Sequence, residues 1–132
     1  MSQENVELAR RVVDWFNAGD ADALQAHSTA DVEIVPLRAE IEDTVYRGPG
    51  AAASFMADTD ESWEEIRFDV EALRDAGERV VAIGHLSARA RGTGAQVGAR
   101  MAMVWEFRGD QVSRARTYSD VEEALEAAGL SE

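Results

Sequence analysis

Arg114, Arg116 and Tyr118 stand at alternate positions of one segment, and Met101, Met103, Trp105 and Phe107 do the same in the segment before it. Between them Arg108-Gly109-Asp110-Gln111 reads as a tight turn, so the two segments form a hairpin. Antiparallel counting from Gly109-Asp110 sets Trp105 against Arg114, Met103 against Arg116 and Met101 against Tyr118 on one face. Two guanidiniums beside an apolar wall suit the carboxylate of a small aromatic or aliphatic ligand, because their paired donors match what a carboxylate accepts. Alternatively, internal acids such as Glu33 neutralise both arginines, or the arginines lie solvated at a rim. Tyr118 either donates a hydrogen bond at the pocket mouth or anchors the sheet end. Glu33 lies on a short strand, where one residue of register decides between pocket and water. The expected ligand-contacting set is Met103, Trp105, Arg114, Arg116, Tyr118 and Glu33.

The remaining chemistry-bearing residues are weaker candidates. His85 is a tempting base, with an unperturbed pKa of about 6.5. Pairing through a Thr93-Gly94 turn, however, places it with Ser87, Arg89, Arg91 and Arg100 on the other face, exterior or toward a partner subunit. His27 sits on a short helix among Ala and Leu, as a packing residue does. Arg89, Arg91 and Arg100 read as a solvated face or as the answer to an acidic surface of a partner. Gly92-Thr93-Gly94-Ala95-Gln96-Val97-Gly98 joins two strands and opens no helix, so it is a turn and not a phosphate cradle. Asp58-Thr59-Asp60-Glu61 starts like a calcium loop, but Trp63 and Asp69 occupy the places of its Gly and Glu. No metal or cofactor signature is present.

Bulk composition bounds the function. With 132 residues, 45% of them hydrophobic, the chain has material for one core and one domain, 1–132. Twenty-six acidic against thirteen basic side chains leave a formal charge of −13, which repels nucleic acid and anionic lipid. No cysteine occurs, so disulfides, thiolate nucleophiles and cysteine-ligated metals are excluded. The opening residues, Met1 to Glu7, lack the basic and apolar runs of a signal peptide, and a cytoplasmic location is the expectation.

The elements that must position these residues follow from periodicity. Val6, Ala9, Val12, Val13 and Phe16 predict a helix over 4–18, closed by Gly19, with Asp20 capping a second helix to Ala26. Val32 to Leu37 reads as a short strand. Gly48-Pro49-Gly50 turns the chain into a third helix over 51–58, and a loop follows with Trp63 near its end. Strands are expected over 65–73, 80–91, 97–107 and 112–118. Asp120 with Glu123 forms a capping box for a last helix to Ala128, stopped by Gly129. Helices gathered on one face of a curved antiparallel sheet make an α+β fold.

Several pieces in this order resemble the SnoaL-like branch of the NTF2-like superfamily: Asn17-Ala18-Gly19-Asp20, Ala30-Asp31-Val32-Glu33, Tyr46-Arg47-Gly48, Val104-Trp105 and Tyr118-x-Asp120-x-x-Glu123-Ala124-Leu125. The resemblance covers nearly the whole chain. It implies an NTF2-like (cystatin-like) cone with a pocket at its wide end, in proteins that are often dimers packed through their sheets. Members include polyketide cyclases, ketosteroid isomerases and epoxide hydrolases, so fold does not fix function. Ketosteroid isomerase-like members carry a tyrosine, a general-base aspartate and a protonated aspartate at positions that fall here on Val12, on Val35 or Pro36, and on Met103. None of these side chains moves a proton or stabilises an oxyanion. The epoxide hydrolase arginine and acids find no counterpart in His85-Leu86-Ser87, and Asp120 alone does not complete that set.

Two functions from different classes remain. One is a pocketed domain that binds a small, partly apolar, possibly anionic molecule, or a purely structural homodimer module whose cone holds only its own side chains. The other is a cofactor-independent isomerase, cyclase, lyase or hydrolase acting on such a molecule. An enzyme requires an acid or histidine inside the cone with a shifted pKa; a binder requires only wall.

Overall fold

The structure, a computed structural model, describes residues 2–130. The first helix, α1 (Ser2–Ala18), buries the stripe Leu8, Ala9, Val12 and Val13. It stops at Gly19, whose φ of 69° lies in the left-handed region that costs a Cβ-bearing residue more. The Asp20 carboxylate then accepts from the Ala23 N–H at 3.0 Å and caps α2 (Ala21–Ala26). Strand β1 (Ser28–Val35) begins earlier than the apolar run alone indicated. A 3-10 turn (Leu37–Glu40) and the two-residue β2 (Tyr46–Arg47) lead to α3 (Ala51–Ser62).

The loop expected after the third helix does not exist. α3 runs straight into β3 (Trp63–Ala76), and Trp63 serves both elements: its N–H closes the helix on the Thr59 carbonyl while its backbone is already extended. Strands β4 (Arg79–Ala90), β5 (Gln96–Arg108) and β6 (Gln111–Tyr118) follow, then α4 (Val121–Ala127). The Asp120 carboxylate caps α4 by accepting from the Glu122 and Glu123 N–H groups.

One curved sheet in the order β2-β1-β6-β5-β4-β3 carries the whole arrangement. All neighbours are antiparallel except β1 and β6, which run parallel, so the sheet is mixed. No hairpin joins those two strands, and nothing local dictates their relative direction. The inner face packs Phe68, Val80, Ala82, Met101, Met103, Trp105 and Phe107 against α1, α2 and α3. On the outer face Val81, Ile83, Ala102, Val104 and Tyr118 lie under Ala124, Leu125 and Ala128 of α4 and its end. No described helix is long and apolar enough to cross a membrane.

Side-chain amides fasten the helices to the sheet. Asn17 Nδ2 donates to the Phe68 carbonyl at 2.9 Å, and Asn17 Oδ1 accepts from the Phe68 N–H at 2.8 Å. The amide thus acts as one more strand residue on the edge of β3. Gln25 works similarly at α3, where Gly50 offers no side-chain cap: Gln25 Oε1 accepts from the Ala52 N–H at 3.0 Å. Asn17→Ala leaves two edge-strand backbone groups without their partner, and we expect it to cost about 2 kcal/mol in urea denaturation. An unchanged midpoint would show that water replaces the amide freely.

Candidate functional site

The hairpin of β5 and β6 forms, but its register differs from simple counting. Phe107 pairs with Val112, whereas Glu106 pairs with Arg114, so Ser113 is an extra residue in β6. Its hydroxyl donates back to the Glu106 carbonyl at 3.1 Å. A bulge of this kind turns every later side chain to the opposite face. Trp105 therefore opposes Ala115 and Met103 opposes Thr117, while Arg114, Arg116 and Tyr118 pair with Glu106, Val104 and Ala102. The expected juxtaposition of Arg114, Arg116 and Tyr118 with the Met103 and Trp105 wall is corrected accordingly.

On the outer face those residues already have protein partners. Glu33 accepts from Arg47 at 3.1 Å and lies 3.5 Å from Arg114, which lies 3.7 Å from Glu106, itself 3.6 Å from Arg79. These contacts follow the strand register and make a row of alternating charge across β2, β1, β6, β5 and β4. Glu33 is thus an outer-face residue paired with arginines. Tyr118 is buried against the α4 cluster, with the Arg116 guanidinium 4.8 Å from its ring centroid.

The inner face holds a small cavity. Val12 and Phe16 of α1, Phe55 of α3, Val35 of β1, and Met103, Trp105, Ala115, Arg116 and Thr117 of the hairpin are on its wall. The phenyl rings of Phe16 and Phe55 stack at 6.2 Å, and Tyr46 meets Phe55 edge-on at 5.8 Å. The free volume is about 40 Å³, enough for water and too little for a ring unless these aromatics shift. Ser28 Oγ donates to the Leu24 carbonyl at 2.6 Å and is thereby satisfied. The Thr117 hydroxyl bonds no other described residue.

The resemblance maps the ketosteroid isomerase-like groups onto Val12, onto Val35 or Pro36, and onto Met103. Val12, Val35 and Met103 all line the cavity, whereas Pro36 does not. Their side chains are hydrocarbon and thioether. Among the described residues no acid and no histidine is on the wall. His85 is on the outer face, exposed, between Asp69 and Arg100 in the ladder. His27 is a packing residue: its ring stacks on Trp15 at 4.6 Å and Nδ1 lies 2.9 Å from the Ala23 carbonyl. Asp120 is engaged as a helix cap on the far side of the sheet. Arg89 pairs with Glu64 and Glu65, Arg91 with Asp60 and Arg100 with Glu71, all within the chain. Among the described residues no group of three His, Cys, Asp or Glu side chains is placed to hold a metal ion.

Counting alone could not find Ala115 and Thr117 as wall residues. The signal was the spacing of Val112 and Ala115, three apart where an unbroken strand would put inward residues two apart.

A bent sheet closed by helices round an apolar cavity defines a pocketed α+β cone. The chain belongs to the SnoaL-like domain family, whose model matches residues 9–115. A search of curated proteins found no match. Among solved structures it is similar to a hypothetical protein with a ketosteroid isomerase-like fold from Catenulispora acidiphila in complex with trimethylamine: 18% identity, 94% of this chain and 93% of that one, TM-score 0.76. It is likewise similar to TerC co-crystallised with polyporic acid, at 18% identity over 96% and 98% of the two chains with a TM-score of 0.76. A candidate SnoaL-like polyketide cyclase from a Jannaschia species matches at 20% identity over 96% and 92%, with a TM-score of 0.77. At these identities the likeness shows the fold.

Proposed function

We propose that this SnoaL-like domain binds a small, neutral, largely apolar molecule in the inner cavity and works as a homodimer, without a proton-transfer step of its own. The observation that carries this reading is the cavity wall. Val12, Val35, Met103, Trp105 and Ala115 offer apolar surface, Thr117 offers one hydroxyl, and no acid or histidine faces in. An anionic ligand is disfavoured, because Arg114 is held between Glu33 and Glu106 on the other side of the sheet. An uncompensated carboxylate in such a cavity would lose its hydration without a partner. Two structural neighbours, one in complex with trimethylamine and one co-crystallised with polyporic acid, support the general idea that this fold accommodates small organic molecules.

The small free volume favours a second reading, in which the cone holds only its own side chains and the protein is an assembly module. A thermal-shift series separates the two. Neutral aromatics and steroids should raise the melting temperature, since a ligand at a hundred times its dissociation constant adds about 2.7 kcal/mol. Ala115→Leu should abolish that shift by filling the cavity, and Arg114→Ala should leave it intact, changing stability by about 1 kcal/mol or less as exposed ion pairs do. Shifts with carboxylates that vanish in Arg114→Ala would overturn the neutral-ligand reading. No shift with any class would leave the assembly module.

A further inference from the structure

Strand β5 outruns its neighbour. β6 ends at Tyr118, paired with Ala102, and the chain then leaves for α4, so Gln96 to Met101 pair with β4 alone. The direction of their backbone groups is fixed by two hydrogen bonds on the β4 side: the Ala90 N–H donates to the Ala95 carbonyl at 2.9 Å, and the Phe107 N–H to the Glu78 carbonyl at 2.8 Å. Successive residues of an antiparallel ladder alternate sides. Odd-numbered residues of β5 therefore serve β4, and Gln96, Gly98 and Arg100 turn their N–H and C=O groups to the open edge. Residues 91–100 are all exposed, and Val97 shows 49% of its surface.

Sheets ordinarily blunt such an edge with proline, charge, a bulge or a covering element. The other two edges of this sheet are so treated: Asn17 pairs with the edge of β3, and β2 is only two residues long. The Gln96–Met101 edge has no proline, no register break against β4 and a single charge, Arg100. It also lies in the stretch Arg79–Trp105, which contains no acid in a chain of net charge −13. The acids nearest it are each held by an arginine, Glu71 by Arg100, Glu64 and Glu65 by Arg89 and Asp69 by Arg67, so two copies meet here over neutralised pairs and not over bare carboxylates.

We propose that a second copy of this chain pairs on this edge, β5 to β5 and antiparallel, with the two-fold axis at Gly98. This rests on the homodimer reading above and assigns it a surface. A two-fold antiparallel pairing sets Gln96 opposite the partner's Arg100, Val97 opposite the partner's Ala99, and Gly98 opposite its own copy. No like charges meet, Val97 is covered on the inner face, and six strand residues gain a continuous ladder.

Hydrogen exchange read by NMR at rising protein concentration, beside sedimentation, tests it. The amides of Gln96, Gly98 and Arg100 should become protected together with dimer formation, while those of Val97, Ala99 and Met101 are protected at every concentration. Gln96→Arg, facing the partner's Arg100 twice per dimer, should weaken association by on the order of tenfold, and Gln96→Glu should tighten it in a salt-sensitive way. A dimer whose Gln96, Gly98 and Arg100 amides stay unprotected would overturn the edge and keep the homodimer on another face. A monomer at all concentrations would overturn both. Protection of those amides only on adding an extended acidic peptide would assign the edge to a different occupant and refute the pairing.

Discussion

Gly84→Ala loses about 3 kcal/mol or more and marks the least substitutable point of the sheet. Gly84 is an inner-face position of β4, paired with Val70 of β3 and Met101 of β5. It sits where β3 slips register between Val70 and Ala72, and the bent strand brings backbone in where a side chain belongs. A Cβ built there would stand 2.2 Å from the Asp69 carbonyl oxygen and 3.0 Å from the Phe68 ring. A ring can rotate away; the carbonyl oxygen belongs to the strand itself, so relief requires reshaping the bulge. Phe68 is fully buried and carries the Asn17 contacts, and the disturbance reaches the α1 joint. Gly77→Ala is the comparison: it has a φ of 79° but nothing within contact distance, and it should cost about 1 kcal/mol from backbone strain alone. Chemical denaturation of both variants checks the ranking. Equal midpoints would mean that β3 relaxes around the added methyl.

What the sequence discloses and what it hides both follow from the range of the interactions involved. The α1 stripe, the Asp20 and Asp120 caps and the turns at Gly77, Gly94 and Gly109 are set by residues within a few positions of one another, and all appear where periodicity puts them. The face of Arg114, Arg116 and Tyr118 depends on one inserted residue, Ser113, and a single unit of register exchanges pocket for exterior. Neither side of that choice violates alternation, because Arg-Ala-Arg-Thr-Tyr offers a tolerable residue to each face. What decides is cross-strand chemistry: Glu33 and Glu106 flank Arg114 on the outer side, and Trp105 with Met103 needs small neighbours, Ala115 and Thr117, on the inner side. Asn17 is a similar case. Its residue type suits a helix corner, and its bonds to Phe68, fifty-one positions away, are invisible locally.

The cavity was legible through its hydrocarbon more than through its charges. Alternation puts Met103 and Trp105 toward a ligand, and they line the cavity together with Val12 and Val35. A guanidinium beside aromatic residues is a familiar anion site, yet a chain with twice as many acids as bases supplies most arginines with a carboxylate of their own. In such a composition a free cation is the unusual event, and an unpaired hydroxyl in an apolar wall is the better guide to a ligand.

Trp105→Ala should produce the second large effect and, with it, a direct view of the cavity. Trp105 is 2% exposed and stands in the core and on the cavity wall at once, opposite Ala115 and beside Met103. Removing a buried indole costs about 3–5 kcal/mol through lost transfer energy and the void left behind. For a domain of this size that is a fall in melting temperature of roughly 10–20 °C. The void adjoins the existing free volume of about 40 Å³, and its lining of Met, Val and Phe keeps it apolar. Added indole should refill it and recover part of the lost melting temperature, because ligand that binds only the folded state stabilises by mass action. Wild-type protein should gain much less from indole than the variant does. Equal gains in both would mean that Phe16 and Phe55 already open the native cavity to a bicyclic ring, which raises the size of ligand the site accepts. A variant that melts lower and ignores indole would mean that the helices collapse onto the sheet, and an architecture that closes so readily on a deleted side chain would argue for the assembly module over the binding site.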